Sequence, residues 1–142
     1  MVDPKRVLRD LNELRVLTAD EQGAQRLAWS PVWLQAREWF AEKIRDLALE
    51  DHYDAAGNHW MTLKGESERA LVIGSHLDSV PNGGWLDGCL GVLAGLEVLR
   101  GIAEKYAGRH PCTVRLVDWA DEEGARFGRS LFGSPALAGR HT

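Results

Sequence analysis

Only two cysteines, Cys89 and Cys112, occur in 142 residues, too few for a disulfide framework. Cys89 falls within a helical pattern and Cys112 just before a strand pattern. Both therefore read as reduced thiols of a cytoplasmic protein, and Cys89 as a buried helix residue rather than a nucleophile. No long apolar run is present: the longest, Cys89 to Val98, is interrupted by Glu97 and is too short to span a bilayer. Charges are spread through residues 1–18, so no secretory leader is expected. A basic stripe is also missing. The formal net charge is −4 and no Lys/Arg cluster alternates with aromatics, which argues against a nucleic-acid partner. Without a G-x-S-x-G elbow, a Walker A pattern or a G-x-G-x-x-G fingerprint, serine-hydrolase and nucleotide-binding readings have no support.

What is present is the composition of a folded domain, 44% hydrophobic and 27% charged, long enough for one core. Asp3-Pro4 and Ser30-Pro31 each supply a cap followed by a first-turn proline. They predict helices over residues 3–18 and from Pro31 to about Leu49, with a loop over Asp20–Trp29 between them. Residues 50–54 and 58–64 read as two short strands. Ala70-Leu71-Val72-Ile73-Gly74 is a continuous apolar run, as expected of a strand covered on both faces. Residues 87–106 are helical and apolar almost all round, with Gly88, Gly91 and Gly95 near one side. Thr113 to Ala120 reads as another buried strand. Strand–helix–strand over 70–119 is a βαβ crossover, which predicts two parallel strands. The fold class is α/β, a mostly parallel sheet with flanking helices.

In such sheets ligands bind beyond the carboxyl ends of the strands. His76 and Asp78 follow the first strand, Asp121-Glu122-Glu123 follow the second, and Asp87 precedes the crossover helix. Several carboxylates and an imidazole at one rim repel or strain one another unless a cation neutralises them. Imidazole plus carboxylate suits zinc, manganese, cobalt or nickel. Asp78 is placed to orient the imidazole, and a carboxylate such as Asp87 can bridge two metals. In an extended chain Glu122 and Glu123 point to opposite sides, so one binds metal while the other faces water as general base. The bland alternatives are a surface histidine, a helix-capping Asp87 and a solvated acidic turn. Their coincidence at one rim favours the metal site. His52, His59 and His110 are assigned surface or structural roles, and Trp33, Trp39, Phe40 and Trp60 are assigned to packing.

The stretches GSHLDSVPNGGWLDGCLGVLAGLEVLR (Gly74–Arg100) and DWADEEGARFGRSLFGS (Asp118–Ser134) closely resemble the M20-type dinuclear metallohydrolases. Within them the match is to the N-carbamoyl-L-amino-acid hydrolase, allantoate amidohydrolase and β-ureidopropionase branch. LAWSP (Leu27–Pro31) and DAAGN (Asp54–Asn58) extend the resemblance over nearly the whole chain. It implies a zinc-peptidase-like catalytic domain holding two divalent transition-metal ions. His76 is a ligand of one ion, Asp87 bridges both and Glu123 is a ligand of the second. Glu122 is the general base, and Asp78 orients the histidine. The implied reaction is hydrolysis of a small ureido substrate, with no nucleic acid or membrane involved and a homodimer in the complete family member.

The chain is shorter than a complete member. Residues 1–142 are expected to form the N-terminal portion of the catalytic domain, with the dimerisation (lid) domain absent. The resemblance places two further histidine ligands beyond Thr142, since His141 lies too close to Glu123 to match the first of them. Little activity is expected of this chain alone. The competing readings are a non-catalytic, self-associating half-domain and, within enzymes, an M20 aminoacylase or peptidase.

Overall fold

Asp3 accepts a hydrogen bond from the Lys5 N–H, and Pro4 opens helix α1 (Pro4–Thr18) where the cap-plus-proline signal predicts it. Ser30 does the same for α2 (Pro31–Ile44), its Oγ accepting from the Trp33 N–H at 3.2 Å. The computed structural model describes residues 1–140, and His141 lies outside them. α2 stops at Ile44, short of the expected Leu49. Tight turns follow it, with the Leu47 N–H on Ile44 O and the Leu49 N–H on Leu47 O, and they fold both leucines back against the core.

The segment between these helices, expected to be a loop, contains a small antiparallel ladder. β1 (Ala19–Asp20) pairs with β2 (Gly23–Ala24), and Asp20 Oδ1 accepts from the Gln22 and Gly23 N–H groups. Ala24 then exchanges both backbone hydrogen bonds with Gly83, at 2.9 and 3.0 Å. Its strands are two residues each, Ala-Asp and Gly-Ala, too short to show a hydrophobic periodicity, and its bonds are made by backbone.

The main sheet contains β3 (Glu50–Tyr53), β4 (His59–Leu63), β5 (Ala70–Ser75) and β6 (Thr113–Asp118) in the order β3-β4-β6-β5. Helix α3 (Cys89–Tyr106) carries the chain from β5 to β6, which run parallel from Ala70↔Thr113 to Ser75↔Asp118. The α/β class and the parallel crossover are as expected. The sheet as a whole is mixed rather than mostly parallel, because β3 and β4 form a hairpin and β4 lies antiparallel against β6. The Asp54–Asn58 turn closes that hairpin: Asp54 Oδ1 accepts from the Ala56 and Asn58 N–H groups.

One core fills the space between the helices and one sheet face. Leu11 and Leu14 of α1, Phe40 of α2, Leu93, Leu96 and Leu99 of α3, and Met61 and Leu116 of the sheet are all buried in it. Each contributes about 1.5–3 kcal/mol relative to exposure. Gly95 lets α3 sit close on the sheet, since a Cβ there would stand 2.5 Å from Leu116 Cδ1. β5 departs from expectation. It is an edge strand, and Leu71 and Val72 remain 56% and 48% exposed instead of being covered on both faces. Among the described residues no helix is long and apolar enough to cross a membrane.

Candidate metal centre

β5 and β6 end in register, Ser75 opposite Asp118, so the residues that follow leave the sheet side by side. The Trp119 N–H donates to Ser75 O at 2.8 Å and extends the pairing one step further. Asp121 then takes a positive φ of 51°. This turns the chain so that two successive amides face the β5 loop. The Glu122 N–H donates to Asp78 Oδ1 and the Glu123 N–H to Asp78 Oδ2, each at 3.2 Å.

His76 is buried behind this clamp. Its Nδ1–H donates to the main-chain carbonyl of Asp78 at 2.9 Å and lies 3.5 Å from Asp78 Oδ1. Asp78 thus contacts the imidazole chiefly through its backbone, while its carboxylate gathers the Glu122 and Glu123 amides. Nε2 is left facing Glu122, whose Oε2 is 3.4 Å away. One donor atom from each of His76, Glu122 and Glu123 lies within 4.8 Å of the other two. The glutamates do not diverge as an extended chain would require, because the positive φ of Asp121 has already taken the backbone out of the strand. Asp87 is exposed and stands outside that three-residue group, near enough for its charge to act on Glu123.

The electrostatics are those of a crowded anionic rim around one imidazole. Burial alone lowers the pKa of His76, but its hydrogen bonds to Asp78 and the charges of Asp78 and Glu122 outweigh that and push it up to about 9. Burial raises the Glu123 carboxyl; His76 opposes this, while Asp87, Glu122 and Asp78 add to it. Asp121 is raised by burial first and by Asp78 second. A divalent cation relieves this repulsion and takes the place of the imidazole proton, and the donor set of one imidazole and several carboxylates suits a transition ion.

Residues that the sequence reading left without a role hold the centre in place. Asp118, fully buried at the end of β6, accepts from the Leu77 N–H at 2.8 Å. Its other oxygen is paired with the Arg37 guanidinium at 2.9 Å. Arg37 in turn donates to Gly57 O at 2.6 Å and lies over the Trp33 ring, 4.0 Å from its centroid. Asn58 accepts from the Ala120 N–H at 2.9 Å, fixing the start of the acidic turn. An arginine within an apolar helix face and an aspartate closing an apolar strand are the signals that point to the Arg37–Asp118 pair. Gly88 has φ +70°, and a Cβ there would stand 2.5 Å from His76 Nδ1. The glycine is therefore what lets α3 start against the imidazole. Cys89 is buried and its thiol is pushed up by burial, consistent with a packing role. His59 and His110 are buried structural residues, while His52 is exposed.

Comparison with known proteins finds amidohydrolases over most of this chain. The N-carbamoyl-L-amino acid amidohydrolase of Geobacillus stearothermophilus is 40% identical over 98% of this chain and 34% of its own length. The allantoate amidohydrolase of Escherichia coli is 36% identical over 82% of this chain and 29% of its own. A hydantoinase/carbamoylase family amidase from Burkholderia ambifaria superposes with a TM-score of 0.91 at 36% identity, over 99% of this chain and 35% of that one. The chain spans about a third of the length of the curated relatives it matches. The profile described as Peptidase family M28 matches residues 58–142. The resemblance to carbamoyl-amino-acid and allantoate amidohydrolases therefore stands, with the matching profile that of M28 where the motifs read as M20-type, and the chain belongs to peptidase family M28.

Proposed function

We propose that this chain carries part of the active site of a metal-dependent amidohydrolase that cleaves the carbamoyl C–N bond of N-carbamoyl-L-amino acids or of allantoate. The observation that supports this best is the convergence of His76, Glu122 and Glu123 on one spot at the ends of two parallel strands. His76 and Glu123 would each hold a divalent ion, with Asp87 on the rim between them. Such ions would supply Lewis acidity toward the ureido carbonyl and lower the pKa of water.

Every other step falls to side chains. Glu122 accepts the proton of the attacking water and returns it to the departing nitrogen. His76 is kept in one tautomer by the Asp78 carbonyl, so that Nε2 is free for the metal. Asp78 keeps Glu122 within reach by holding its backbone N–H. One water adds to the ureido carbon and the C–N bond to the amino acid breaks. The free amine and a carbamate result, and the carbamate decays to ammonia and carbon dioxide. The enzyme reading is favoured over a non-catalytic half-domain because the named relatives are amidohydrolases across most of this chain.

These residues span about a third of the length of the relatives, so we expect them by themselves to bind metal but turn over negligibly. A chimera tests the reading: these 142 residues replace the matching third of the Geobacillus enzyme. Ammonia released from N-carbamoyl-L-amino acids, and not from N-acyl ones, together with its loss in Glu122→Gln, is the expected result. Preference for N-acyl substrates, or activity that survives Glu122→Gln, contradicts it.

A further inference from the structure

Arg26 is wholly buried, yet no carboxylate is paired with it among the described residues, and Nη2 has no hydrogen-bond partner among them. A guanidinium removed from water without a counter-ion is costly and calls for another role. Its bonds suggest one. Nε donates to Leu77 O at 2.7 Å, the backbone N–H donates to Ser79 Oγ at 2.9 Å, and the backbone carbonyl accepts from the Ser79 N–H at 2.9 Å. Nη1 reaches Thr18 Oγ1 at 3.3 Å, which anchors the side chain to the end of α1. Three bonds thus fall on the residues that alternate with His76 and Asp78.

The opposite side of the same loop is held by an anion. Asp118 Oδ1 accepts from the Leu77 N–H, while Arg26 takes the Leu77 carbonyl. The residue next to His76 is therefore fixed at both its backbone polar groups, by a buried carboxylate on one side and a buried cation on the other. Arg26 also feels Asp78 and Asp87 electrostatically, so its charge acts on the acidic rim from behind. The strap is continuous with the Ala24–Gly83 pairing and the Gln25–Asn82 contacts at 2.7 and 3.1 Å, which hold the far end of the loop.

We infer that Arg26 is a positioning residue of the metal centre: from the half-buried strap Gly23–Arg26 it fixes Leu77 and Ser79, and so sets the direction in which His76 and Asp78 present themselves to a divalent ion. It touches neither metal nor substrate. The inference rests on the reading of His76 as a ligand, but its structural half can be measured without metal.

The test uses the 142-residue chain with Arg26→Met, Arg26→Lys and Ser79→Ala. Co2+ is the probe, followed by titration and by its visible absorption band, and helix content is checked by circular dichroism. Arg26→Met is expected to stay folded, to bind Co2+ at least about tenfold more weakly and to shift the band. Arg26→Lys, still able to reach Leu77 O, is expected to recover part of the affinity. A folded Arg26→Met with wild-type affinity and band overturns the inference, as does a loss that merely tracks the unfolded fraction. If Arg26→Met does not fold, Ser79→Ala decides: a weakened, shifted Co2+ signal supports the inference and a wild-type signal overturns it. If the wild-type chain binds no Co2+, the metal reading itself fails. The Arg26 brace is then judged by amide hydrogen exchange of Ser79 in the metal-free chain. The residue 79 amide keeps its bond to the residue 26 carbonyl in both variants, but the segment loses a neighbouring brace, the Leu77 O bond in Arg26→Met or the Ser79 Oγ bond in Ser79→Ala. Exchange is therefore expected to be roughly tenfold faster in Arg26→Met, or in Ser79→Ala should Arg26→Met not fold, with β6 unchanged. Unaltered exchange at residue 79 overturns the inference.

Discussion

The carboxylate of Asp78 receives the backbone N–H of Glu122 at 3.2 Å, across 44 positions of sequence. One short side chain thereby ties the end of β5 to the turn after β6, and it does so with the same residue whose carbonyl fixes His76. Asp78→Asn replaces a carboxylate oxygen with an N–H group that faces another N–H. We expect metal affinity to fall about 10- to 100-fold while helix content is kept. Metal titration alongside circular dichroism reads both. Unchanged affinity in a folded Asp78→Asn removes the clamp from the account.

Glu122 and Glu123 both place a carboxylate oxygen within 4.8 Å of a His76 ring nitrogen, yet the proposed function gives them different duties. Glu123→Gln is expected to weaken metal binding more than the roughly tenfold typical of a supporting residue. Glu122→Gln leaves binding essentially unchanged and abolishes hydrolysis in the chimera. Isothermal titration of the two variants distinguishes the roles, and equal losses in both place Glu122 among the ligands.

Gly88→Ala adds one methyl group at a position with φ +70°, 2.4 Å from His76 O and 2.5 Å from the imidazole. Left-handed backbone and steric overlap act together, so the expected cost is about 1–3 kcal/mol. Metal affinity should fall with it, because the ring displaced is the imidazole that carries the candidate ligand atom Nε2. Thermal unfolding and titration on the same sample check both halves.

The N-terminal helix is tied to α3 by Glu97, which is 1% exposed and accepts from Arg6 Nε, Arg6 Nη2 and the Asp3 N–H, each at 2.7 Å. Burial raises this carboxyl, but the Arg6 and Asp3 hydrogen bonds and the charges of Arg6 and Arg100 outweigh it and hold it below the ordinary 4.5. With the folded value depressed, its contribution is complete above about pH 4.5 and is lost as pH falls through the folded value. Glu97→Gln is expected to lower stability at pH 7 by about 2 kcal/mol. The gap from wild type should narrow as pH falls below about 4.5. Urea midpoints across that range measure it, and a constant gap argues against the pairing.

Much of this was legible from residue pattern. Asp3-Pro4 and Ser30-Pro31 mark both helix starts because capping is a local, side-chain property. The rim bearing His76, Glu122 and Glu123 follows from strand–helix–strand topology. Other features depend on contacts distant in sequence. The antiparallel β4–β6 pairing and the edge position of β5 follow from strand order, which no periodicity encodes. Arg26 and Gln25 looked like loop residues because the bonds they make to Ser79, Leu77 and Asn82 are more than fifty positions away. The convergence of Glu122 and Glu123 turns on the single dihedral of Asp121, which an extended-chain reading has no means of anticipating.

Titration of the purified chain with Co2+ or Zn2+, compared with His76→Ala, tests the central claim most directly. The account predicts saturable binding in the wild type that is lost in His76→Ala while the fold persists. A wild-type chain that takes up no ion, or a His76→Ala chain that binds as well as wild type, contradicts it.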